Sequence, residues 1–340
     1  MARILTSANM QRDPIALARL HTVLRFSTGI TLAFVICEAM GWYPTFLAPV
    51  LLGALLTSLP SSPPLKTGVM LVAVMAAAAL VAFILPSLLR ETPEVMVGAI
   101  GLVLFLAFAL VAQGRAKLPA LLLLICIATI PVIVMIAPAQ AGIMPVAMVR
   151  AMAVAVLIVW CMYALWPRVL PRTAPPASAP IASPVMTALM GTAVVLPLML
   201  IYLLFGMADA LPVLVTTVLL VINFDPRQGA KQGLAMMLGN LIGGLIALVA
   251  YLLLSMAPSL VTLALLTFLI ASAFAVRIEK GGPGAAVAAI TCNSTLIMLS
   301  IAVASGAGNW MTRLSQFAFA CLFAVGMMSI AWGKKPQPES

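Results

Sequence analysis

Two arginines inside hydrophobic segments are the residues of this chain with the clearest chemical potential. Arg150 and Arg313 each lie about one and a half turns into an apolar run, and 163 residues separate them. An arginine at membrane depth costs about 2.5 kcal/mol or more on insertion scales, so by default it marks a pathway, a counter-ion or a binding group. Because a guanidinium holds a carboxylate through two parallel hydrogen bonds, the pair predicts a site for an organic anion.

The alternative interpretation of both arginines is structural. Each side chain could extend to the nearby outer interface, or could bond a backbone carbonyl inside the bundle. The predicted depth is shallow, about 8 Å at 1.5 Å per residue. Against this alternative, the other basic residues of the chain collect on the opposite side of the predicted membrane.

Glu38 is the only carboxylate that falls inside a predicted helix, near the outer end of the first segment. A carboxylate in this position could carry the proton of an antiporter. The alternatives are a plain structural ion pair, or a glutamate at the headgroup level beside Trp42 and Tyr43.

A polar cluster in the second half of the chain contains Asn293, Ser294 and Thr295. The corresponding positions of the first half, near Ala128 to Val132, are mostly apolar. We therefore predict that these three side chains contact the substrate. The alternative is structural, since such groups also bond between helices for about 0.6 kcal/mol each.

The composition places these residues in a membrane protein. The 340 residues are 64% hydrophobic and only 8% charged, which is more apolar sequence than a soluble core can bury. Only helices and closed barrels satisfy their backbone groups in lipid, and runs of about 20 residues cross as helices. We predict an all-α fold with twelve segments: 26–42, 45–59, 67–88, 95–113, 118–137, 145–166, 184–205, 210–223, 231–254, 258–276, 284–303 and 310–332.

The twelve segments divide into two halves that repeat each other. Pro49 and Pro212 are separated by the same 163 residues as the two arginines, and Gly29 with Gly191 keeps nearly the same spacing. Six crossings per half make the repeats parallel, related by a pseudo-two-fold axis along the membrane normal. The second segment of each half is short, and its proline could kink the helix or stop it from crossing fully.

The basic residues predict the orientation, because Lys and Arg prefer the cytoplasmic side. With both termini cytoplasmic, fifteen of the 18 Lys and Arg residues fall on that side, and only Arg90 falls in an outside loop. The net charge of +10 reflects this bias rather than a nucleic-acid surface, so membrane lipid is the expected contact. The predicted domains are a cytoplasmic amphipathic lead-in 1–25, a first six-helix module 26–166, a Pro/Ala/Ser-rich cytoplasmic linker 167–183, a second module 184–332 and a cytoplasmic tail 333–340.

Catalytic and metal-binding patterns are not found in the sequence. The single histidine, His21, lies in the lead-in, and the five cysteines sit in apolar segments without paired spacing. We therefore expect no enzyme activity, no metal and no cofactor.

The stretch from Arg25 to Ser58, the PPLKTG turn at 63–68 and the arginine of the sixth segment resemble the fusaric-acid-resistance and aromatic-acid-exporter superfamily of bacterial inner-membrane proteins. The resemblance implies efflux of small organic, often aromatic, acids, usually with a periplasmic membrane-fusion adaptor. It also implies that the sixth-helix arginine faces the anion path, a role that would fall to Arg150 and its repeat Arg313. In place of the large cytoplasmic domain of many relatives, the sequence shows only its short linker and tail.

The sequence thus predicts a proton-driven exporter of small amphipathic anions, with Arg150, Arg313, Asn293, Ser294 and Thr295 binding substrate and Glu38 as the candidate for proton coupling. One alternative is a passive anion channel of the same fold, and another is a membrane scaffold subunit that transports nothing. Self-association into a homo-oligomer is left open.

Overall fold

The computed structural model describes residues 14–59, 61–114, 117–169, 184–206, 211–223 and 229–305, with positions 315, 319, 322, 323 and 326. The regular structure in these ranges is helical throughout. The predicted twelfth segment with Arg313, and most of the linker, lie outside the described residues.

Long apolar runs form long helices because a helix satisfies its own backbone groups without water. In the described chain, nine helices are long and apolar enough to cross a membrane. The protein is therefore a helical, multi-pass membrane protein. In chain order its helices are α1 Pro14–Ala39, α2 Leu47–Ser58, α3 Leu65–Leu88, α4 Pro93–Ala112, α5 Lys117–Ile136, α6 Ile143–Leu165, α7 Pro184–Leu204, α8 Leu211–Asn223, α9 Gly229–Met256, α10 Leu260–Glu279 and α11 Pro283–Ser305.

The first helix begins at Pro14, so part of the predicted lead-in is continuous with the predicted first segment. Proline suits this position, because its missing N–H is one of those that a helix start leaves unbonded.

The two short helices, α2 and α8, have 12 and 13 residues. At 1.5 Å per residue each is about 20 Å long, short of the ~30 Å hydrocarbon core. Pro49 and Pro212 lie in the first turns of α2 and α8, where proline is tolerated. Pro49 therefore begins α2 rather than breaking it, and the short described lengths of both helices match the short predicted segments.

Two helices, α5 and α11, form the centre of the bundle. Of their apolar windows 72% is buried, whereas the other candidate spans are 22% to 50% buried. Helix α5 packs against α3, α4, α6, α7 and α8, and α11 packs against α9, α10, α8 and α2. The outer helices α1 and α10 pack together, as do α4 and α7, so the first six helices and the last five join in several places.

The bundle has two ends, named here by one residue each. The Pro14 end holds the start of α1, Leu59 after α2, and Tyr163 near the end of α6, whose hydroxyl donates to the Leu59 carbonyl at 3.2 Å. The Trp42 end holds the turn between α1 and α2 and the first turns of α6. The candidate site lies at the Trp42 end.

Candidate functional site

Arg150 lies in the second turn of α6 and is half-buried. Its guanidinium carbon stands 4.7 Å from the centroid of the Trp42 ring, a cation–π contact. Among the described residues, no carboxylate oxygen lies within 4.0 Å of its guanidinium nitrogens. A guanidinium in contact with an aromatic face keeps N–H donors that can bind an anion. The arrangement fixes the cation in place and leaves its chemistry suited to a carboxylate.

Trp42 reaches this position because α1 ends in a glycine turn. The Gly41 N–H donates to the Glu38 carbonyl at 3.1 Å, and the Trp42 N–H donates to the Cys37 carbonyl at 2.8 Å. This is the Schellman pattern of bonds, in which the residue after the helix takes a left-handed conformation. Gly41 has φ +62°, which a residue with a side chain rarely adopts. The turn brings the Trp42 ring beside α6.

Glu38 is half-buried and joins a chain of hydroxyl groups. The Thr45 hydroxyl donates to Glu38 Oε1 at 2.8 Å, and it also meets the Ser300 hydroxyl at 2.5 Å. Thr45 and Ser300 are both buried. Since the one Thr45 proton is given to Glu38, Ser300 is the donor of the second bond. The chain connects the turn before α2 to the central helix α11.

Glu38 and Arg150 are neighbours without forming an ion pair. Both lie close enough to Cys37 to act on it electrostatically, but their charged atoms are not within 4.0 Å of each other in this structure. The structural ion pair that the sequence left open for Glu38 is therefore not formed with Arg150. The acid and the cation keep separate partners, a hydroxyl chain and an aromatic ring.

The hydroxyls of Ser294 and Thr295 are bonded to backbone carbonyls. Ser294 donates to the Asn240 carbonyl at 3.0 Å, and Thr295 donates to the Thr291 carbonyl at 2.8 Å. Both side chains are buried, and Ser294 packs beside Gly243 of α9. Their geometry corresponds to helix packing, the alternative role that the sequence left open.

Asn293 is placed differently from its two neighbours. It is half-buried, and its Oδ1 faces Gly53 of α2, 3.8 Å from the point where a Cβ on that glycine would stand. Within the described chain, its side chain makes no hydrogen bond. Asn293 and Ser300 are seven residues apart, so they share one face of α11 about 10 Å from each other. We call this line of contacts from α2 and the turn before it to α11, with Glu38 at its Trp42 end, the α2–α11 seam.

Arg25 is the last residue of the predicted lead-in, and the structure places it inside the Pro14 end. It is buried, its guanidinium carbon lies 4.3 Å from the Tyr163 ring centroid, and it donates to Thr22 Oγ1 at 3.1 Å. It also donates to the Arg168 carbonyl at 3.2 Å, while the Arg168 N–H donates to His21 Nδ1 at 3.3 Å. These bonds hold the chain that leaves α6 against α1.

The sequence analysis identified Glu38, Arg150 and Asn293 but not the residues that contact them or lie beside them. Thr45 and Ser300 were not singled out, although Ser300 stands two helical turns from Asn293 on the same face, and that spacing is visible in the sequence. The Arg25–Tyr163 contact had no comparable signal, because a basic residue before an apolar run is typical of a loop.

Among the described residues, no group of three or more His, Cys, Asp or Glu could hold a metal ion.

Comparison with known proteins gives one family match. A family model described as "Protein of unknown function (DUF2955)" matches residues 22–162, which extend from α1 into the last turn of α6. No curated protein and no solved structure matches the chain. The matched range contains Glu38, Thr45 and Arg150, whereas Asn293 and Ser300 lie beyond it.

Proposed function

We propose that the protein transports small organic anions across the bacterial inner membrane. The observation that carries the proposal is Arg150, a half-buried cation inside an apolar helix, in cation–π contact with Trp42 and with no described carboxylate in ion-pair range. A cation held in this way has its charge unneutralised by the described protein, and a substrate carboxylate or sulfonate would supply the missing negative charge.

The packing of the helices supports a fused pair of six-helix modules. In a fused pair of modules, helices α1 to α5 of the first half correspond to α7 to α11 of the second. The α1–α10 contact then corresponds to α7–α4, the α3–α5 contact to α9–α11, and the α2–α11 contact to α8–α5. All six of these contacts are formed. We propose that the chain crosses the membrane twelve times and that Arg313, in the last crossing, is the counterpart of Arg150. Its two repeats would run parallel about an axis along the membrane normal.

The direction of transport and the partners follow from the family resemblance and the loop charges. We propose cytoplasmic termini, export of small aromatic or amphipathic acids, and a periplasmic membrane-fusion adaptor as partner. The chain contains no sequence motif for nucleotide binding, so the proton gradient is the proposed driving force, and Glu38 is the proposed carrier. The protein is proposed to act as a transporter rather than an enzyme.

The test is uptake of labelled benzenesulfonate by inside-out vesicles that contain the protein. This probe stays ionised at the assay pH, so it does not cross lipid unaided. Arg150→Gln removes the charge with little change of size, and we expect the initial uptake rate to fall about ten- to hundredfold, as for the loss of a charge-assisted bond. Arg90→Gln is the matched control, since Arg90 is exposed, and it should keep the wild-type rate.

Unchanged uptake in a folded Arg150→Gln protein would assign the arginine a structural role and contradict the proposed site. The same vesicles distinguish the exporter from the passive channel. Accumulation above the outside concentration, driven by an imposed proton gradient, supports the exporter. Arginine-dependent movement that follows only the electrochemical potential of the anion supports the channel.

A further inference from the structure

We infer that Thr45 and Ser300 couple the protonation of Glu38 to the position of α11, through a hydroxyl latch that closes the Trp42 end of the α2–α11 seam. The inference deepens the proposed function and rests on it, because it assigns coupling residues to the proposed proton-driven transport. The latch consists of Glu38, Thr45 and Ser300.

The geometry gives the latch a defined direction of bonding. With Glu38 ionised, Ser300 donates to Thr45 and Thr45 donates to the carboxylate, at 2.5 Å and 2.8 Å. The bond to the carboxylate is charge-assisted, and such bonds are about twice as strong as neutral ones. Because Thr45 and Ser300 are buried, no water competes for them, and the ionised carboxylate holds α11 against the turn between α1 and α2.

Adding one proton to Glu38 changes this bonding without any other reactant. A neutral carboxyl group can donate to Thr45, and both hydroxyls then rotate, so that Thr45 donates to Ser300 and Ser300 can donate to the Leu296 carbonyl of its own helix. No covalent bond other than the new O–H is formed. The charge-assisted bond is lost, and the tie between α11 and the α1–α2 turn weakens.

The charged and titratable groups around Glu38 are few, which makes its charge the main variable at this end. Cys37 is the neighbouring residue on the same helix, and Arg150 of α6 lies near enough to act electrostatically on Cys37. Helix α2 carries no ionisable side chain, and α11 carries only Cys292. Helix α10 has Arg277 and Glu279, but these lie toward the Pro14 end, where Glu279 meets Arg19 at 3.4 Å.

The latch also lies where movement would matter for transport. Ser300 and Asn293 share one face of α11, and Asn293 faces Gly53 in the same seam. Loosening the outer end of α11 would therefore open the seam from the end that holds Arg150. A proton arriving at Glu38 would unlock the path that the anion takes.

The experiment compares Glu38→Gln, Thr45→Val and Ser300→Ala with wild type, and uses Thr129→Val as the matched control. Thr129 is a buried threonine of α5 whose hydroxyl bonds the Ile125 carbonyl of its own helix, so its loss breaks no tie between helices. Hydrogen–deuterium exchange of the intact protein in detergent at pH 7.5 reports the latch directly. We expect exchange in residues 40–46 and 300–305 to rise on the order of tenfold in the three latch variants and to stay unchanged in Thr129→Val.

The second readout is uptake of labelled benzenesulfonate with and without an imposed proton gradient. The latch variants should still move the anion through Arg150, but the gradient should no longer change the rate. A merely structural role of the hydroxyls would lower the amount of folded protein and leave the gradient response of the remainder intact.

The outcomes separate the latch from the proposed function. Wild-type exchange in all three variants overturns the latch, whatever the transport assay gives. Faster exchange with an unaltered response to the gradient overturns the coupling and leaves a structural bond. If anion movement depends on Arg150, the proposed function is upheld. If Thr45→Val and Ser300→Ala also keep the response of that movement to the proton gradient, this inference is rejected. A wild-type protein that moves no anion contradicts the proposed function, and with it the coupling.

Discussion

The two central helices, α5 and α11, are equally buried and differ in polarity. Each has 72% of its apolar window inside the bundle; α5 packs against the short helix α8, and α11 packs against both short helices, α2 and α8. Helix α5 has a single buried hydroxyl, Thr129. Helix α11 buries four and adds a half-buried amide, namely Thr291, Ser294, Thr295, Ser300 and Asn293. Helix α5 shows that a central position can be filled by apolar side chains and a single hydroxyl, so the greater polarity of α11 is not a requirement of packing.

Three of these five polar side chains are accounted for by hydrogen bonds to backbone carbonyls, and two are not. Thr291, Ser294 and Thr295 donate to backbone carbonyls, which offsets the cost of burying them. Ser300 and Asn293 instead face the first half of the chain, toward Thr45 and Gly53. These two residues are the difference between the helices that points to function.

The largest expected effect comes from moving an amide between the helices. Ile130 of α5 lies 163 residues before Asn293 and is fully buried. Ile130→Asn should lower the free energy of unfolding by about 3–5 kcal/mol, because packing is lost and an amide is buried without a partner. Asn293→Leu should leave stability within about 1 kcal/mol and reduce anion uptake. Unfolding of the purified proteins in detergent, together with vesicle uptake, measures both.

The reverse result would remove the distinction between the two helices. If Ile130→Asn is tolerated, the α5 side of the bundle also accommodates polar groups, and α11 is not special. If Asn293→Leu unfolds the protein while Ile130→Asn does not, the amide is a structural element of α11.

The sequence predicted the helical architecture well because hydrophobic length is a local property. The short second segments, the arginine inside the sixth apolar segment and the polar cluster at 291–295 were all visible as runs of residue types. The sequence did not show which members of that cluster face another helix, because this depends on how α11 is rotated against α9 and α2. Ser294 and Thr295 were assigned to the substrate together with Asn293, and the structure turns their hydroxyls toward backbone carbonyls.

Contacts between distant parts of the chain were the hardest to predict. The Thr45–Ser300 bond joins residues 255 positions apart, and the Arg25–Arg168 bond joins residues 143 apart. No composition or periodicity encodes such pairs. Arg25 illustrates the limit, since its charge placed it correctly near one end of the bundle, but its burial against Tyr163 follows from how α1 and α6 pack.

A smaller effect is expected where α11 meets α9 through glycine. A Cβ on Gly243 would stand 2.6 Å from the Thr291 carbonyl oxygen, and that backbone atom moves only if α11 moves. Gly243→Ala should therefore destabilise the protein by about 1–3 kcal/mol. Gly98→Ala on α4 is the matched control, because nothing lies within 4 Å of its Cβ, and it should be neutral or stabilising by up to about 1 kcal/mol.

Equal unfolding midpoints for the two alanine variants in detergent would show that α9 and α11 can separate at no cost. The close approach would then have no part in holding α11. A loss of stability in Gly243→Ala alone would confirm that α11 is fixed on its α9 side. Its freedom to move would then be confined to the side that faces α2.

The smallest expected effect tests single hydroxyls of the two central helices. Ser294→Ala removes a bond between α11 and the Asn240 carbonyl of α9, and should cost about 0.6 kcal/mol, the average for such bonds in membrane proteins. Thr129→Val removes a bond within α5 and should cost less, because a hydroxyl that bonds its own helix adds no contact between helices. Neither change should alter anion uptake, since both hydroxyls are engaged with backbone carbonyls. If Ser294→Ala instead lowers uptake at unchanged stability, the substrate displaces the Asn240 bond, and the path includes the α9 face of α11 as well as the α2–α11 seam.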